Sequence, residues 1–206
     1  MLEIMQAGGW VMWPMALCSV FAVAIVLERA WTLRAARVIP AHLVAQVWHL
    51  LRSNDLGDDR LQQVRDSSPL GRVLAAGLAL RDAPPEVMKE RIEDVGRHVS
   101  HELERNLNTL GTIAAVSPFL GLLGTVSGLI RVFSSITANG MGNPAALSGG
   151  ISEALISTFA GLAVAIPSLV FYRYFRGKVL ELVLRIEEEV MRLVDALHRP
   201  RGKARA

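Results

Sequence analysis

The sequence predicts an all-α integral membrane protein with three transmembrane helices and long cytoplasmic helical extensions. Of its 206 residues, 51% are hydrophobic and only 20% are charged. Three windows carry no charged residue at all, namely residues 4–27, 106–130 and 154–172. Each is close to the roughly 20 residues with which a helix crosses the apolar core of a bilayer. These windows exclude a simple soluble domain.

The distribution of Lys and Arg predicts the orientation of the three spans. Residues 1–27 contain no Lys or Arg, residues 28–105 contain 12, residues 131–153 contain one, and residues 173–206 contain nine. Because basic residues near membrane ends stay preferentially on the cytoplasmic side, we expect the amino terminus outside and the carboxyl terminus in the cytoplasm. No Lys or Arg precedes the first window, which is therefore expected to be a retained anchor rather than a signal peptide.

This orientation divides the chain into seven segments. They are a periplasmic amino terminus (1–7), transmembrane helix 1 (8–27), a cytoplasmic helical domain (28–105), transmembrane helix 2 (106–133), a periplasmic loop (134–143), transmembrane helix 3 (144–172), and a cytoplasmic carboxyl-terminal helix with a basic tail (173–206). Residues 173–206 contain nine basic and five acidic residues, so any attraction to anionic lipid is expected at this basic segment. The net charge of +3 does not call for nucleic acid.

Periodicity predicts further helices on the cytoplasmic side. Short helices are expected at 40–51, 61–64 and 69–80. Pro84-Pro85 is typical of a first helical turn, and with no breaker downstream the sequence predicts one continuous helix over 85–133. A last apolar stripe recurs at steps of three and four, and it consists of Val179, Leu182, Ile186, Val190, Leu193 and Leu197. Packing within the chain and packing between copies both explain such a stripe.

Enzyme chemistry finds little support in the polar residues. His98 and His101 lie three residues apart before Glu102, but this order is not a zinc-protease motif and lacks an evident third ligand. Cys18 is the sole cysteine and is expected in core packing. The glycine-rich stretch 121–125 lacks the Lys and the preceding strand of a phosphate-binding loop. We therefore expect no metal, no cofactor and no enzymatic activity.

Small residues line one face of each of the last two spans. They are Ser117, Gly121, Gly124, Thr125 and Gly128 in the second, and Gly149, Ser157, Gly161, Ala165 and Ser168 in the third. Such faces let helices pack closely or line a narrow polar path. The first span has no comparable face and is expected outside the other two.

Glu153 lies on the small-residue face of the third span. Asn143 as a cap and Pro144 as the first helical residue would place this carboxylate nine residues along the helix, roughly 13 Å deep. An ionisable group at that depth is costly and usually marks an ion or proton path. If the helix instead began at Ala154, Glu153 would only be an interfacial residue favoured by the helix N-terminus.

Two stretches of these spans resemble the signature helices of a known family. Residues 118–126, Pro-Phe-Leu-Gly-Leu-Leu-Gly-Thr-Val, and residues 150–158, Gly-Ile-Ser-Glu-Ala-Leu-Ile-Ser-Thr, are similar to the MotA/TolQ/ExbB proton-channel family, and the similarity extends to Pro167. Three spans and an outside amino terminus are most like ExbB, with TolQ next, because MotA-type subunits have four spans. The resemblance covers essentially the whole chain.

The resemblance implies a pentamer in the bacterial inner membrane that encloses an ExbD- or TolR-like subunit and acts on a TonB- or TolA-like protein. By position, Glu153 corresponds to the family's intramembrane glutamate, and Thr125 and Thr158 correspond to threonines of the proton pathway. Ser157, Ser117, Gly121, Gly124, Gly128 and Gly161 are expected as secondary pore-lining or packing residues. Thr158 lies about 140° round an ideal helix from Glu153, so the two side chains are expected to face different neighbours.

Two other functions stay open from the sequence. One is a TolQ-type subunit for envelope maintenance, since the signature helices are common to both branches. The other is a passive membrane scaffold, in which Glu153 only pairs with a neighbouring helix. A proton is favoured over Na⁺ because an interior lined by hydroxyls and poor in carboxylates offers few oxygen ligands for a metal cation.

Overall fold

The computed structural model describes residues 7–53, 57–139 and 144–198. The helices of these residues are α1 (Met12–Thr32), α2 (Ala35–Val38), α3 (Ala41–Ser53), α4 (Asp58–Ser67), α5 (Pro69–Ala79), α6 (Pro85–Glu104), α7 (Leu107–Asn139) and α8 (Pro144–His198). The described residues contain no strand, which confirms the prediction of an all-α chain within those ranges. The stretches Met12–Thr32, Pro85–Ala138 and Leu147–Leu197 are long and apolar enough to cross a membrane.

The first long helix, α1, begins and ends later than the expected span 8–27. Gly9 has a φ of +75°, a left-handed conformation that glycine adopts at little cost, and the helix begins only at Met12. It continues to Thr32 because good helix formers follow Leu27. Residues 1–6 of the expected periplasmic terminus lie outside the described residues.

The single helix expected over 85–133 is wrong, because two helices occupy this stretch. α6 ends at Glu104 and α7 begins at Leu107. Arg105 has φ −49° and ψ 142°, and Asn106 has φ 63°, as at the two central positions of a type II turn. Asn tolerates the left-handed region better than most residues, which permits the break without glycine or proline. α7 also continues to Asn139, so part of the expected loop 134–143 is helical, and residues 140–143 lie outside the described residues.

The last helix, α8, begins at Pro144, the residue expected in the first helical position. It runs for 55 residues to His198, so the expected third span and the helix after it form one element. The expected cap Asn143, the stop at Pro200 and the basic tail 199–206 lie outside the described residues.

The chain divides into two compact units. The first comprises Met1–Glu28 and Asn106–Tyr174. In it, three buried residues at the start of α1 pack against partly buried side chains of α7 and α8. They are Val11, Met12 and Met15, in contact with Leu120, Ile156, Ala160 and Val164. Large apolar side chains elsewhere on this unit stay exposed, including Phe119 at 70% and Phe159 at 75%.

The second unit comprises Arg29–Arg105 and Phe175–Ala206 and has a core of its own. The three short helices expected from periodicity are present as α3, α4 and α5. Ser68 caps α5, since its Oγ accepts a hydrogen bond from the backbone N–H of Gly71 at 3.0 Å. The apolar stripe is buried within the chain from Val179 to Leu193, which favours intrachain packing of the stripe.

Candidate functional site

The backbones of α7 and α8 touch where glycines face each other. A Cβ added to Gly161 would lie 2.7 Å from Ser117 O and 3.0 Å from Gly121 Cα. A Cβ on Gly128 would lie 2.6 Å from Gly150 O. Real side chains do not approach so closely, so only glycine fits at these positions. The small residues Gly121, Gly124, Gly128, Ser157 and Gly161 recognised in the sequence therefore meet in a glycine contact between α7 and α8. Gly149 does not take part, since a Cβ on it would meet no atom within 4 Å, and its neighbour Gly150 makes the contact instead.

Two serines are fully buried at this glycine contact. Ser157 Oγ donates within its own helix, to Glu153 O at 2.9 Å or Ala154 O at 3.0 Å, and a Cβ on Gly124 would overlap it. Ser117 Oγ donates to Ile113 O at 2.7 Å. Both hydroxyls are satisfied by their own backbone, so the geometry gives these serines a packing role.

Thr125 and Thr158 link α7 to α8 through their hydroxyls. The two Oγ1 atoms are hydrogen-bonded to each other, and both side chains are half-buried. Thr125 Oγ1 also lies 3.3 Å from Ala154 O across the contact and 3.2 Å from Gly121 O in its own helix. The structure thus brings the two predicted threonines together as a polar pair at the margin of the glycine contact.

The carboxylate of Glu153 is buried and paired with an arginine. Its side chain is 7% exposed, and Oε2 accepts a hydrogen bond from Arg131 Nη1 at 2.9 Å. The segment before α1 covers the other carboxylate oxygen, because a Cβ on Gly9 would overlap Oε1 and lie 2.8 Å from Cδ. Glu153 therefore lies where α1, α7 and α8 meet.

Glu153 and the threonine pair lie on different sides of α8. The residues of α8 that pack against α1 are Ile156, Ala160 and Val164, and these fall within about 60° of Glu153 on a helix of 3.6 residues per turn. Thr158 is about 140° away. The carboxylate and the threonine hydroxyls consequently do not touch in the structure. This separation is the one that the helical geometry of the sequence predicts.

Arg131 was not recognised as a site residue from the sequence, although a signal was present. Arg131 and Glu153 are the only charged residues between positions 106 and 172. They also lie eleven residues on either side of position 142, near the middle of the connection between α7 and α8. In an antiparallel helical hairpin, residues at equal distances from the turn lie opposite each other, so this pairing was predictable.

The described residues contain no group of three or more His, Cys, Asp or Glu side chains that could hold a metal ion.

These features define a class of protein. Three apolar helical stretches, two of them in glycine contact beside a polar pair and a buried, salt-bridged carboxylate, are those of a multi-pass membrane protein. The model of the MotA/TolQ/ExbB proton channel family matches residues 65–188, a range that includes Thr125, Glu153 and Thr158. The chain belongs to this family.

Relatives of the chain carry consistent names. The chain is 37% identical over 186 residues to the putative biopolymer transport protein ExbB-like 3 of Synechocystis sp., covering 89% of both chains. It is 28% identical over 187 residues to a putative biopolymer transport protein ExbB homolog of Methanothermobacter thermautotrophicus, covering 90% of this chain and 66% of the relative. Over 92 residues it is 39% identical to the biopolymer transport protein ExbB of Salmonella typhimurium, covering 45% of this chain and 36% of the relative.

Proposed function

We propose that this chain is an ExbB-like subunit of a proton-driven motor in the bacterial inner membrane. With an ExbD-like partner, it converts proton-motive force into mechanical work for TonB-dependent outer-membrane transport. Membership of the proton channel family supports the channel part of this proposal. The names of the ExbB-like relatives, biopolymer transport proteins, favour the transport branch.

The hydrogen-bonded pair of Thr125 and Thr158 carries the proposal. On their side of the hairpin these hydroxyls offer donors and acceptors to water or to a carboxylate on the partner's helix. A proton that neutralises such a carboxylate lets the partner's helix move past the apolar wall, and its release on the other side restores the charge. Each proton supplies about 2.3 kcal/mol per 100 mV of membrane potential. Glu153 acts here as a charge that shapes the local field.

The exposed apolar side chains of the first unit support assembly into a ring. Phe119 and Leu122 on α7 and Leu155 and Phe159 on α8 are all more than half exposed. In this proposal, these exposed side chains contact lipid, further copies of the chain and the partner's helix. We place α7 and α8 at the inner wall of a homopentamer, with α1 outside, the amino terminus in the periplasm, and the basic tail near anionic lipid in the cytoplasm.

The experiment that tests this function is proton flux into liposomes under an imposed membrane potential. Purified protein with its ExbD- or TolR-like partner is compared with partner-free protein and with Glu153→Gln, after verifying that each complex is intact. We expect partner-dependent flux that the substitution reduces. Equal flux in all three samples, or no flux from a verified complex, would reject the channel function.

A passive membrane scaffold is the second candidate, and the ion pair between Arg131 and Glu153 favours it. A salt bridge between α7 and α8 needs no transported proton to explain it. Under this alternative, Glu153→Gln changes assembly and leaves flux unaltered. A TolQ-type role is separated from an ExbB-type role by complementation, because only the first restores envelope integrity in cells that lack their own TolQ.

A further inference from the structure

Arg131 and Glu153 form an ion pair whose two members lie in different surroundings. The Glu153 side chain is 7% exposed, whereas the Arg131 side chain is 60% exposed. A carboxylate that leaves water needs a partner charge and hydrogen bonds to remain ionised at an acceptable cost. A guanidinium keeps its charge at every physiological pH. The arginine therefore supplies a permanent counter-charge to a carboxylate that water hardly reaches.

Gly9 provides a second constraint on the same carboxylate. Arg131, on α7, donates a hydrogen bond from Nη1 to Oε2 of Glu153. Gly9, in the segment that leads into α1, lies with its backbone against Oε1 of the same carboxylate. With a φ of +75° and the carboxylate directly beside its Cα, Gly9 has no room for a side chain. The carboxylate is thus held between two different parts of the chain.

We infer that Arg131 is the positioning residue of Glu153. It holds the carboxylate in a salt bridge on the side of the hairpin that faces α1, so the transported proton does not pass over that carboxylate. The pair is neutral as a unit, and the proton passes along the side of Thr125 and Thr158. The contacts of Arg131 and Gly9 with the carboxylate are termed the clamp, and they follow from the geometry alone. The path of the proton rests on the proposed function.

A double-mutant cycle on stability tests the clamp without any transport assay. Unfolding of the full chain in lipid bicelles is measured for Arg131→Gln, Glu153→Gln and the double variant. We expect Arg131→Gln to lower the folding equilibrium constant about tenfold or more, because it strands a buried carboxylate. Glu153→Gln costs less, since the exposed guanidinium can turn to water. Arg131→Lys retains most of the stability because only one nitrogen makes the contact. Additive effects of the two single substitutions would overturn the clamp.

Flux through the intact complex with its ExbD- or TolR-like partner tests the fixed charge. Either single substitution leaves one uncompensated charge beside the path, so we expect both to reduce flux. The double variant is neutral again and should return flux to within about twofold of wild type, as should Arg131→Lys. Loss of flux in both Glu153→Gln and the double variant, with assembly preserved, would show that Glu153 itself carries the proton. Absence of flux in the wild-type complex would reject the proposed function, and the stability cycle would still decide on the clamp.

The contact with Gly9 has its own matched control. Gly9→Ala places a Cβ against the carboxylate, while Gly149→Ala meets no atom within 4 Å. We expect Gly9→Ala to destabilise the protein and Gly149→Ala to leave it unharmed. In a Glu153→Ala background the additional effect of Gly9→Ala should shrink to the cost of its positive φ, about 1 kcal/mol, a factor of roughly five. An unchanged effect in that background would remove Gly9 from the clamp.

Discussion

Gly161→Ala tests the glycine contact between α7 and α8 directly. The added methyl group would lie 2.7 Å from Ser117 O and 3.0 Å from Gly121 Cα. Both obstacles are backbone atoms, which cannot swing away as a flexible side chain can. Carbon contacts are normally about 3.5–4.0 Å, so the two helices must separate by roughly 0.5–1 Å.

The expected magnitude follows from two opposing effects. Overpacking of a close contact typically costs about 1–3 kcal/mol. Replacing glycine by alanine inside a helix contributes about 1 kcal/mol in the opposite direction. Gly149→Ala, on the same helix and with no atom within 4 Å of the new Cβ, carries only the second effect. The difference between the two variants, about 1–3 kcal/mol, therefore isolates the cost of opening the contact.

The assay is the free energy of unfolding of each variant in lipid bicelles, with the oligomeric state held the same. Separation of the helices should also break the hydrogen bond between Thr125 and Thr158, so partner-dependent proton flux should fall in Gly161→Ala and not in Gly149→Ala. Equal free energies for the two variants would refute a backbone contact at Gly161.

Substitutions at three further places in the fold test local geometry. Thr125→Val and Thr158→Val each remove the hydroxyl pair, and we expect a loss of about 0.6 kcal/mol in unfolding free energy for either, with no further loss in the double variant. Asn106→Ala should cost about 1 kcal/mol because Asn106 has a φ of 63°, whereas Asn106→Gly should be tolerated, as thermal unfolding can show. Ser68→Ala removes the cap of α5 and should cost about 1 kcal/mol, and hydrogen exchange at Gly71 N–H should then accelerate.

Much of the fold follows from patterns that are local in the sequence. The charge-free windows predict the three apolar stretches, since length and hydropathy alone decide whether a helix can cross a bilayer. Pro144 predicts the start of α8. The backbone N–H groups of a first helical turn have no partner within the helix, so proline, which has no N–H, loses no hydrogen bond there. The faces of Gly121 and Gly161 predict close packing, since glycines at steps of three and four fall on one side of a helix.

Other features depend on contacts or conformations that no local pattern specifies. Arg105 and Asn106 are ordinary polar residues in sequence, and only their turn conformation, with ψ 142° at Arg105 and φ 63° at Asn106, separates α6 from α7. Periodicity could not decide whether the stripe from Val179 to Leu193 packs within the chain or against another copy. An apolar stripe identifies the buried face of a helix but not the surface that covers it. The contact of Gly9 with Glu153 joins positions 144 residues apart and follows from tertiary packing alone.

The opposite placement of Glu153 and Thr158 on α8 has a physical consequence for the hairpin. A pair five residues apart cannot share a helix face, so the buried carboxylate and the hydroxyl pair flank the glycine contact instead of combining into one polar site. Charge is compensated on the side that α1 covers, and uncharged hydroxyls are presented on the other. Under the proposed function, a partner helix moving past that second side would meet hydrogen-bonding groups without a fixed charge to bind it. Such a surface would assist a transient protonation without holding the moving helix in one position.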